Sequence, residues 1–421
     1  MQAVILAAGQ SSRFWPLNYQ RKSLIRVLGK PLIFYTAEAL KKLGIKEIII
    51  VQGQERDAEK SLSGLGIKNI RYVVQSKSLG TGDALLSAGK LIKNDFVLLG
   101  PAKADLSLYL PSMLKRFQKT KGKIVFLGAK TKRPEDFGMA RLKAGKIIEI
   151  VENPRSKDRH SDIKTSELYF IPKDFVSCLK KIKKSEDSLI GAFNLFIKDR
   201  GGELVIAKQN PLSLKYPWEA LRTMNFLLNS KNLENKISLN AKICKNTVIK
   251  GNVFIDSGAE IGDNTVIFGP CYVGKNCKIG ANNVIRGPVN LEEETITGAF
   301  SEIKNSLFQE GSHIHSGYFG DMVIGRNCRF GAGFVSGNRR LDRGEIFSMV
   351  KGKKIGTGLT YFGGAIGDSS RFGIHVSMMP GALIGSDSNI GPHSLILENI
   401  PDNAVFYNKF NSVIKKNDRK I

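Results

Sequence analysis

Apolar positions fall into two regimes along the 421-residue chain. In the first half, short apolar runs alternate with amphipathic stretches. Residues 3–6 read as a buried strand running into a glycine-containing loop, with a helix over 32–43. Strands follow at 48–51 and 70–74, then a helix at 82–92 and a strand at 96–99. Further strands are expected at 124–127, 139–142, 147–151 and 168–171. A helix over 217–228, with Pro217 in its first turn, closes the region. Short buried runs joined by helices predict an α/β, doubly wound, mostly parallel sheet over residues 1–232.

From Ile237 the period changes to six. Ile243, Ile249, Ile255, Ile261, Ile267, Val273, Ile279 and Ile285 continue the step, with Gly262, Gly274 and Gly280 directly after three of them. The same step returns at Ile366, Phe372, Met378, Ile384, Ile390 and Ile396. Neither a helix nor an ordinary strand has a six-residue period. A triangular coil does: each flat face gives one inward aliphatic per hexad, and glycine or asparagine turns the corners. Residues 233–405 are therefore expected to form a left-handed parallel β-helix of hexapeptide repeats. Residues 288–364 break the phase and are expected as an insertion on one face carrying a site, His313 and His315 among them. Residues 406–421 form a basic tail, with 415–420 read as a frayed end.

Composition narrows the function classes. No run approaches the roughly 20 apolar residues of a membrane-spanning helix, and the opening residues lack the basic lead of a signal peptide. A cytoplasmic protein is expected, with no membrane partner. The five cysteines show no C-x-x-C pair, which points to reduced, structural thiols. The net charge of +26 raises nucleic acid as a partner, yet the lysines are dispersed, as at Lys180, Lys181 and Lys183. No aromatic-interleaved basic motif or helix-turn-helix signature accompanies them. Anionic phosphate substrates account for the charge better.

The N-terminal motifs fit that reading. Leu6-Ala7-Ala8-Gly9-Gln10-Ser11-Ser12-Arg13, Pro16-Leu17, Lys22 and Gly29-Lys30-Pro31 resemble the L-A-A-G-x-G-T-R, P-L, P-K and G-K-P signature of sugar-1-phosphate nucleotidyltransferases. The resemblance implies that Gly9 and its loop face a triphosphate, Arg13 neutralises leaving pyrophosphate and Lys22 lies near the attacked α-phosphate. It also implies that Gln75 with Gly80 and Thr81 reads the base, that Gly138 meets the sugar and that Glu152 binds its hydroxyls. Tyr216-Pro217-Trp218 matches the Y-P-W before the closing helix.

Two departures concern the magnesium ion the family uses. Its G-D pair reads Gly100-Pro101 here, and its second carboxylate, three residues before Y-P-W, reads Ser213. Asn153 stands for the lysine of V-E-K-P, Thr165 and Glu167 for the asparagine and glycine of N-T-G, and Ser11 for a loop glycine. Loss of both carboxylates is expected to cost metal-assisted transfer several orders of magnitude. Asp105, four positions beyond Pro101, is the substitute in reach, though its favoured reading is an ordinary loop carboxylate.

In the second half, His315-Ser316-Gly317-Tyr318-Phe319-Gly320-Asp321 resembles the H-x-x-Y-x-G-D motif. That motif belongs to the acetyltransferase half of bifunctional N-acetylglucosamine-1-phosphate uridyltransferases and their archaeal relatives. Glu302 to Ser306, Gly331-Ala332-Gly333 and Asn338 match flanking segments. The resemblance implies acetyl-CoA as co-substrate, His315 as base, Tyr318 and Asn338 positioning an amino sugar, and Lys304 on its phosphate. Packing, or a hydrogen bond between chains, is the other role open to His315. The Lys304-to-His315 spacing is one residue short, and Tyr361 replaces a lysine. The leading expectation is a bifunctional enzyme of UDP-N-acetylglucosamine synthesis, binding a nucleoside triphosphate and a sugar-1-phosphate and assembling as a homotrimer through its β-helix. The alternatives are a glucose-1-phosphate nucleotidyltransferase with a structural β-helix, or an impaired nucleotide-sugar-binding trimeric scaffold.

Overall fold

A computed structural model of the chain describes residues 1–414 apart from Gln10, Gln20, Ser78, Lys121, Asn153, 155–160, Lys184 and 231–235. The expected domain boundary at 232/233, the exchange at Asn153 and the tail end at 415–420 lie outside the described residues. The chain divides into two compact units: Met1–Phe14 with Gln20–Ser230, and Trp15–Tyr19 with Lys231–Ile421.

In the first unit, strands β1 (Gln2–Leu6), β2 (Arg26–Val27), β3 (Lys30–Pro31), β4 (Glu47–Gln52), β5 (Ile70–Val74) and β6 (Phe96–Leu99) come first. Then follow β7 (Ile124–Lys130), β8 (Gly138–Lys143), β9 (Lys146–Glu152), β10 (Ile163–Ile171) and β11 (Gly202–Ile206). Nine of them form one sheet in the order β5-β4-β1-β6-β10-β7-β11-β9-β8. The N-terminal part of the sheet, β5-β4-β1-β6, is parallel throughout. Parallelism then gives way at β10, which runs against both β6 and β7, and at β9, which runs against β11 and β8. The sheet is thus mixed beyond β6.

The helices are α1 (Leu32–Lys42), α2 (Asp57–Leu62), α3 (Thr81–Ala88), α4 (Leu110–Lys119), α5 (Phe175–Leu179), α6 (Ser188–Arg200) and α7 (Glu219–Ser230). Helix α3 stops short of the expected residue 92, because Gly89 follows Ala88 and the chain turns there. Helix α7 starts at Glu219, beyond Pro217, with the Glu219 carboxylate accepting from the backbone N–H groups of Lys215 (2.5 Å) and Tyr216 (3.1 Å). Phe126, Tyr169, Phe175 and Phe193 interlock at centroid distances of 4.8–5.5 Å on the helical side of the sheet.

The second unit is the left-handed parallel β-helix. Its short strands stack into three parallel sheets of eight, nine and eight strands among the described residues. The hexad positions point inward and are buried from Ile255 to Ile396. On one face the register partners are Ile255–Val273, Val273–Leu291, Leu291–Phe308, Phe308–Ile324, Ile324–Ile366 and Ile366–Ile384. The residue separations are 18, 18, 17, 16, 42 and 18.

This corrects the expectation that 288–364 is one insertion. Most of that stretch is coil with corners trimmed to five-residue steps, as from Ile303 to Phe308 and from Ile314 to Phe319 to Ile324. Phenylalanines fill the interior there: Phe319 stacks on Phe334 at 4.9 Å and Phe330 on Phe372 at 4.8 Å. The true insertion lies between Ser336 and Gly364 and carries an antiparallel hairpin, Phe347–Val350 with Lys353–Gly356. Cys271, Cys277 and Cys328 are buried thiols in this core, and all five cysteines are free.

Candidate functional site

In the first unit, β1 is buried along its whole length, and the chain leaves it through Ala7, whose N–H donates to the Val51 carbonyl. The loop that follows borders a cleft of about 290 Å3. Gly9, Ser11, Arg13, Lys22, Gln75, Gly80, Thr81, Gly100, Pro101, Glu167 and Lys215 line it. A Cβ at Gly9 would meet nothing within 4 Å, so the backbone there is open to the cleft. Ser11 holds φ 54°, the left-handed region, which explains a glycine at that place in the motif.

Gln75 is buried, and its amide donates to Asp83 on α3 at 3.0 Å, which ties the β5 end to that helix. Gly80 has φ 93°, and a Cβ there would lie 2.9 Å from the Glu186 Cα, so no other residue fits without moving backbone. Gly138 faces Glu152 across the β8–β9 pair, and its carbonyl accepts from Thr165 Oγ1 at 3.1 Å. Desolvation, then the neighbouring Glu167 carboxylate, pushes the Glu152 carboxyl above the usual range. Gly138 and Glu152 stand beyond the lining residues of this cleft.

Sequence reading missed Arg21. Its guanidinium donates to the Ala8 carbonyl and pairs with Glu55 (2.7 Å) and Asp57 (3.1 Å), which braces the loop from behind. It also missed the company Lys22 keeps. Burial lowers the Lys22 ammonium pKa, Glu167 opposes that, and Lys103 adds to it. A second cavity of about 550 Å3 lies beside the cleft and shares Lys215 with it. Its lining includes Lys130, Lys132, Arg133, Lys164, Ser213, Lys215 and Arg222, against Asp136, Asp162 and Glu219.

The expected cation donors are placed differently. Magnesium is held by one or two carboxylates beside substrate phosphates. Pro101 lines the cleft with a ring that offers no ligand, and Ser213 lines the second cavity instead. Asp105 is buried away from the cleft lining. Its Oδ2 accepts from Tyr109 Oη at 3.0 Å and from the Leu212 N–H at 2.8 Å, so it pins the 209–213 loop. Among the described residues no three His, Cys, Asp or Glu side chains group to hold a metal ion. At the two positions where the family places its carboxylates the donors do not fit the ion, and Glu167 is the carboxylate that lines the cleft.

In the β-helix, Lys304, Tyr318 and Asn338 come together around Asp321, a buried carboxylate at φ 55°. Asp321 accepts from Lys304 Nζ at 3.3 Å, Asn305 Nδ2 at 2.6 Å and Asn338 Nδ2 at 2.5 Å, while Asn338 also donates to Tyr318 Oη at 3.1 Å. Tyr361 lies between two cations, with Lys304 Nζ 4.5 Å and the Arg339 guanidinium 4.8 Å from its ring centre. His315 is exposed and stands outside this network, lining a shallow pocket with His313, Phe300 and Arg329. Burial, then Arg329, lowers the His313 pKa. Between Lys304 and His315 the coil carries a five-residue step, from Ile303 to Phe308, with Asn305 at φ 43° in its corner.

Residues 2–209 match the Nucleotidyl transferase family. Over 424 residues the chain is 36% identical to the bifunctional protein GlmU of Methanococcus maripaludis, covering 99% of both chains. The chain belongs to the GlmU family. A second relative is the bifunctional sugar-1-phosphate nucleotidylyltransferase/acetyltransferase of Sulfurisphaera tokodaii, at 33% identity over 94% of this chain and 97% of that one. The UTP-bound UGPase from Acinetobacter baumannii overlays with a TM-score of 0.47 at 19% identity, over 55% of this chain and 94% of that one. Membership of the GlmU family covers both units, and makes the chain a transferase. Among the described residues, no helix is long and apolar enough to cross a membrane.

Proposed function

We propose that this GlmU-family chain joins a nucleoside triphosphate to a sugar-1-phosphate in its first unit and acetylates an amino-sugar phosphate in its second. The full-length match to bifunctional relatives carries this reading. In the first unit the sugar-phosphate oxygen attacks the α-phosphorus, the bond to the β-phosphate oxygen breaks, and pyrophosphate leaves. Arg13 neutralises the departing pyrophosphate and Lys22 the α-phosphate, Gly9 presents open backbone, and Gln75, Gly80 and Thr81 hold the base. Gly138 and Glu152 receive the sugar.

In the second unit His315 takes a proton from the ammonium, the freed amine attacks the thioester carbonyl of acetyl-CoA, and as the C–S bond breaks a second N–H proton passes to sulfur, so that CoA leaves as a thiol. Tyr318 and Asn338 position the amino sugar and Lys304 meets its phosphate, all fixed through Asp321. His315 reaches them in a homotrimer whose neighbouring coils face one another, and the protein works in the cytoplasm. UTP with N-acetylglucosamine-1-phosphate should release pyrophosphate, and acetyl-CoA with glucosamine-1-phosphate should free CoA. His315→Ala should abolish the second reaction and spare the first; CoA release at the wild-type rate from that variant would remove the acetyltransferase assignment.

A further inference from the structure

The two positions that lack the expected carboxylates are each followed, two residues on, by a lysine: Lys103 after Pro101 and Lys215 after Ser213. Lys103 is 5% exposed, and its Nζ reaches the Leu212 carbonyl at 3.4 Å, a long hydrogen bond for a buried ammonium. Lys215 lines both cavities and holds Asp136 at 3.2 Å. Lys164 on β10 lies 4.0 Å above the Phe137 ring, and Lys215 lies 4.7 Å from the same ring. Lys22 completes the set on the cleft side. Glu167 is the carboxylate among the cleft-lining residues.

We propose that Lys22 and Lys215, which line the cleft, and Lys164, which lines the second cavity that Lys215 joins to it, form a polyphosphate-binding cluster backed by the buried Lys103, so that this cleft takes a nucleoside triphosphate without a divalent cation. Fixed ammonium groups supply the positive charge for which the family's two carboxylates hold an ion. The inference rests on the nucleotide-binding reading of the cleft. In the free protein burial holds the pKa values of Lys22, Lys164 and Lys215 down, and cationic neighbours add to it: Lys103 for Lys22, Lys103 and Lys215 for Lys164, and Arg13 and Arg133 for Lys215. A bound triphosphate relieves both effects. Arg13, Arg133, Glu152, Glu167, Glu219 and Asp136 are the other charged groups that act on them.

The test is calorimetric titration of the full chain with UTP, in EDTA and in magnesium. Affinity in EDTA should equal or exceed that in magnesium. Lys215→Met and Lys164→Met should each weaken binding in EDTA roughly tenfold to a hundredfold, the range of a lost charged hydrogen bond. These two side chains border open cavities, so circular dichroism should show both variants folded. Binding that appears only with magnesium would overturn the proposal and hand the ion to Glu167. Wild-type affinity in both variants would overturn it as well. No UTP binding under either condition would instead remove the nucleotide-binding reading beneath it.

Discussion

The backbone N–H of Gly100 donates to the Glu167 carbonyl at 3.0 Å, and Glu167 holds φ 51°, in the left-handed region that glycine occupies without cost. The pair sets a carboxylate on β10 beside the strand end where Pro101 stands. A Cβ on Gly100 would approach that of Glu167 to 3.0 Å, so one side chain at this crossing excludes another. Position 167 is where the family motif has its glycine.

Glu167→Gly should therefore raise stability by about 1 kcal/mol, the cost of a non-glycine residue in that conformation. A urea midpoint higher than wild type with unchanged slope would show it. A lower midpoint would mean that the carboxylate's attraction to Lys22 outweighs the backbone term.

Asp105→Ala should cost about 1–3 kcal/mol, because it leaves the Leu212 N–H without its acceptor inside the fold. The dependence of nucleotide binding on magnesium should be the same as in wild type. A changed magnesium dependence in a well-folded variant would return Asp105 to the role of metal ligand.

Lys164 carries the clearest pH signature. Burial first, then Lys103, pushes its pKa down to about 8 from the ordinary 10.5. The unfolded chain thus binds more protons than the native one between these values, and this group makes stability rise with pH from about 8 to about 10.5. Phosphate binding goes the other way, since it needs the ammonium form. UTP affinity in EDTA should fall as pH rises through about 8, and Lys164→Arg, protonated throughout, should flatten the profile. An identical profile for that variant would assign the transition elsewhere.

Asp321→Ala should uncouple Lys304, Asn305 and Asn338, at a cost of about 1–3 kcal/mol given that Lys304 is partly solvated. CoA release should drop while pyrophosphate release from the first unit holds. Equal loss of both reactions would point to general unfolding.

Much of this was legible in sequence. Ile255, Val273 and their kin repeat at a fixed step because each inward rung position must be apolar, so the coil could be read directly. The trimmed corners could not, since Phe308, Phe319 and Phe330 keep the interior filled while shifting the count. The cleft loop was legible through Gly9 and Arg13. Lys103, Lys164 and Lys215 were not: they come from three separate segments, and nothing in their spacing distinguishes an ammonium turned toward Phe137 from one in solvent. Asp105 was legible as a carboxylate near the right place, but its commitment to Tyr109 and Leu212 depends on a loop a hundred residues away.

The rung that carries the hairpin insertion also divides the solenoid in time. Elsewhere a new turn closes on residues about 18 back, but Ile366 must find Ile324 across 42. The added chain raises the entropic cost of that closure by only about 0.7 kcal/mol. That is little at equilibrium, but it makes this rung the slowest seam for a zipper that otherwise advances by near neighbours. The turns before Ser336 and those after Gly364 can each propagate on their own before they meet, so the coil is expected to assemble as two blocks joined at a single late seam.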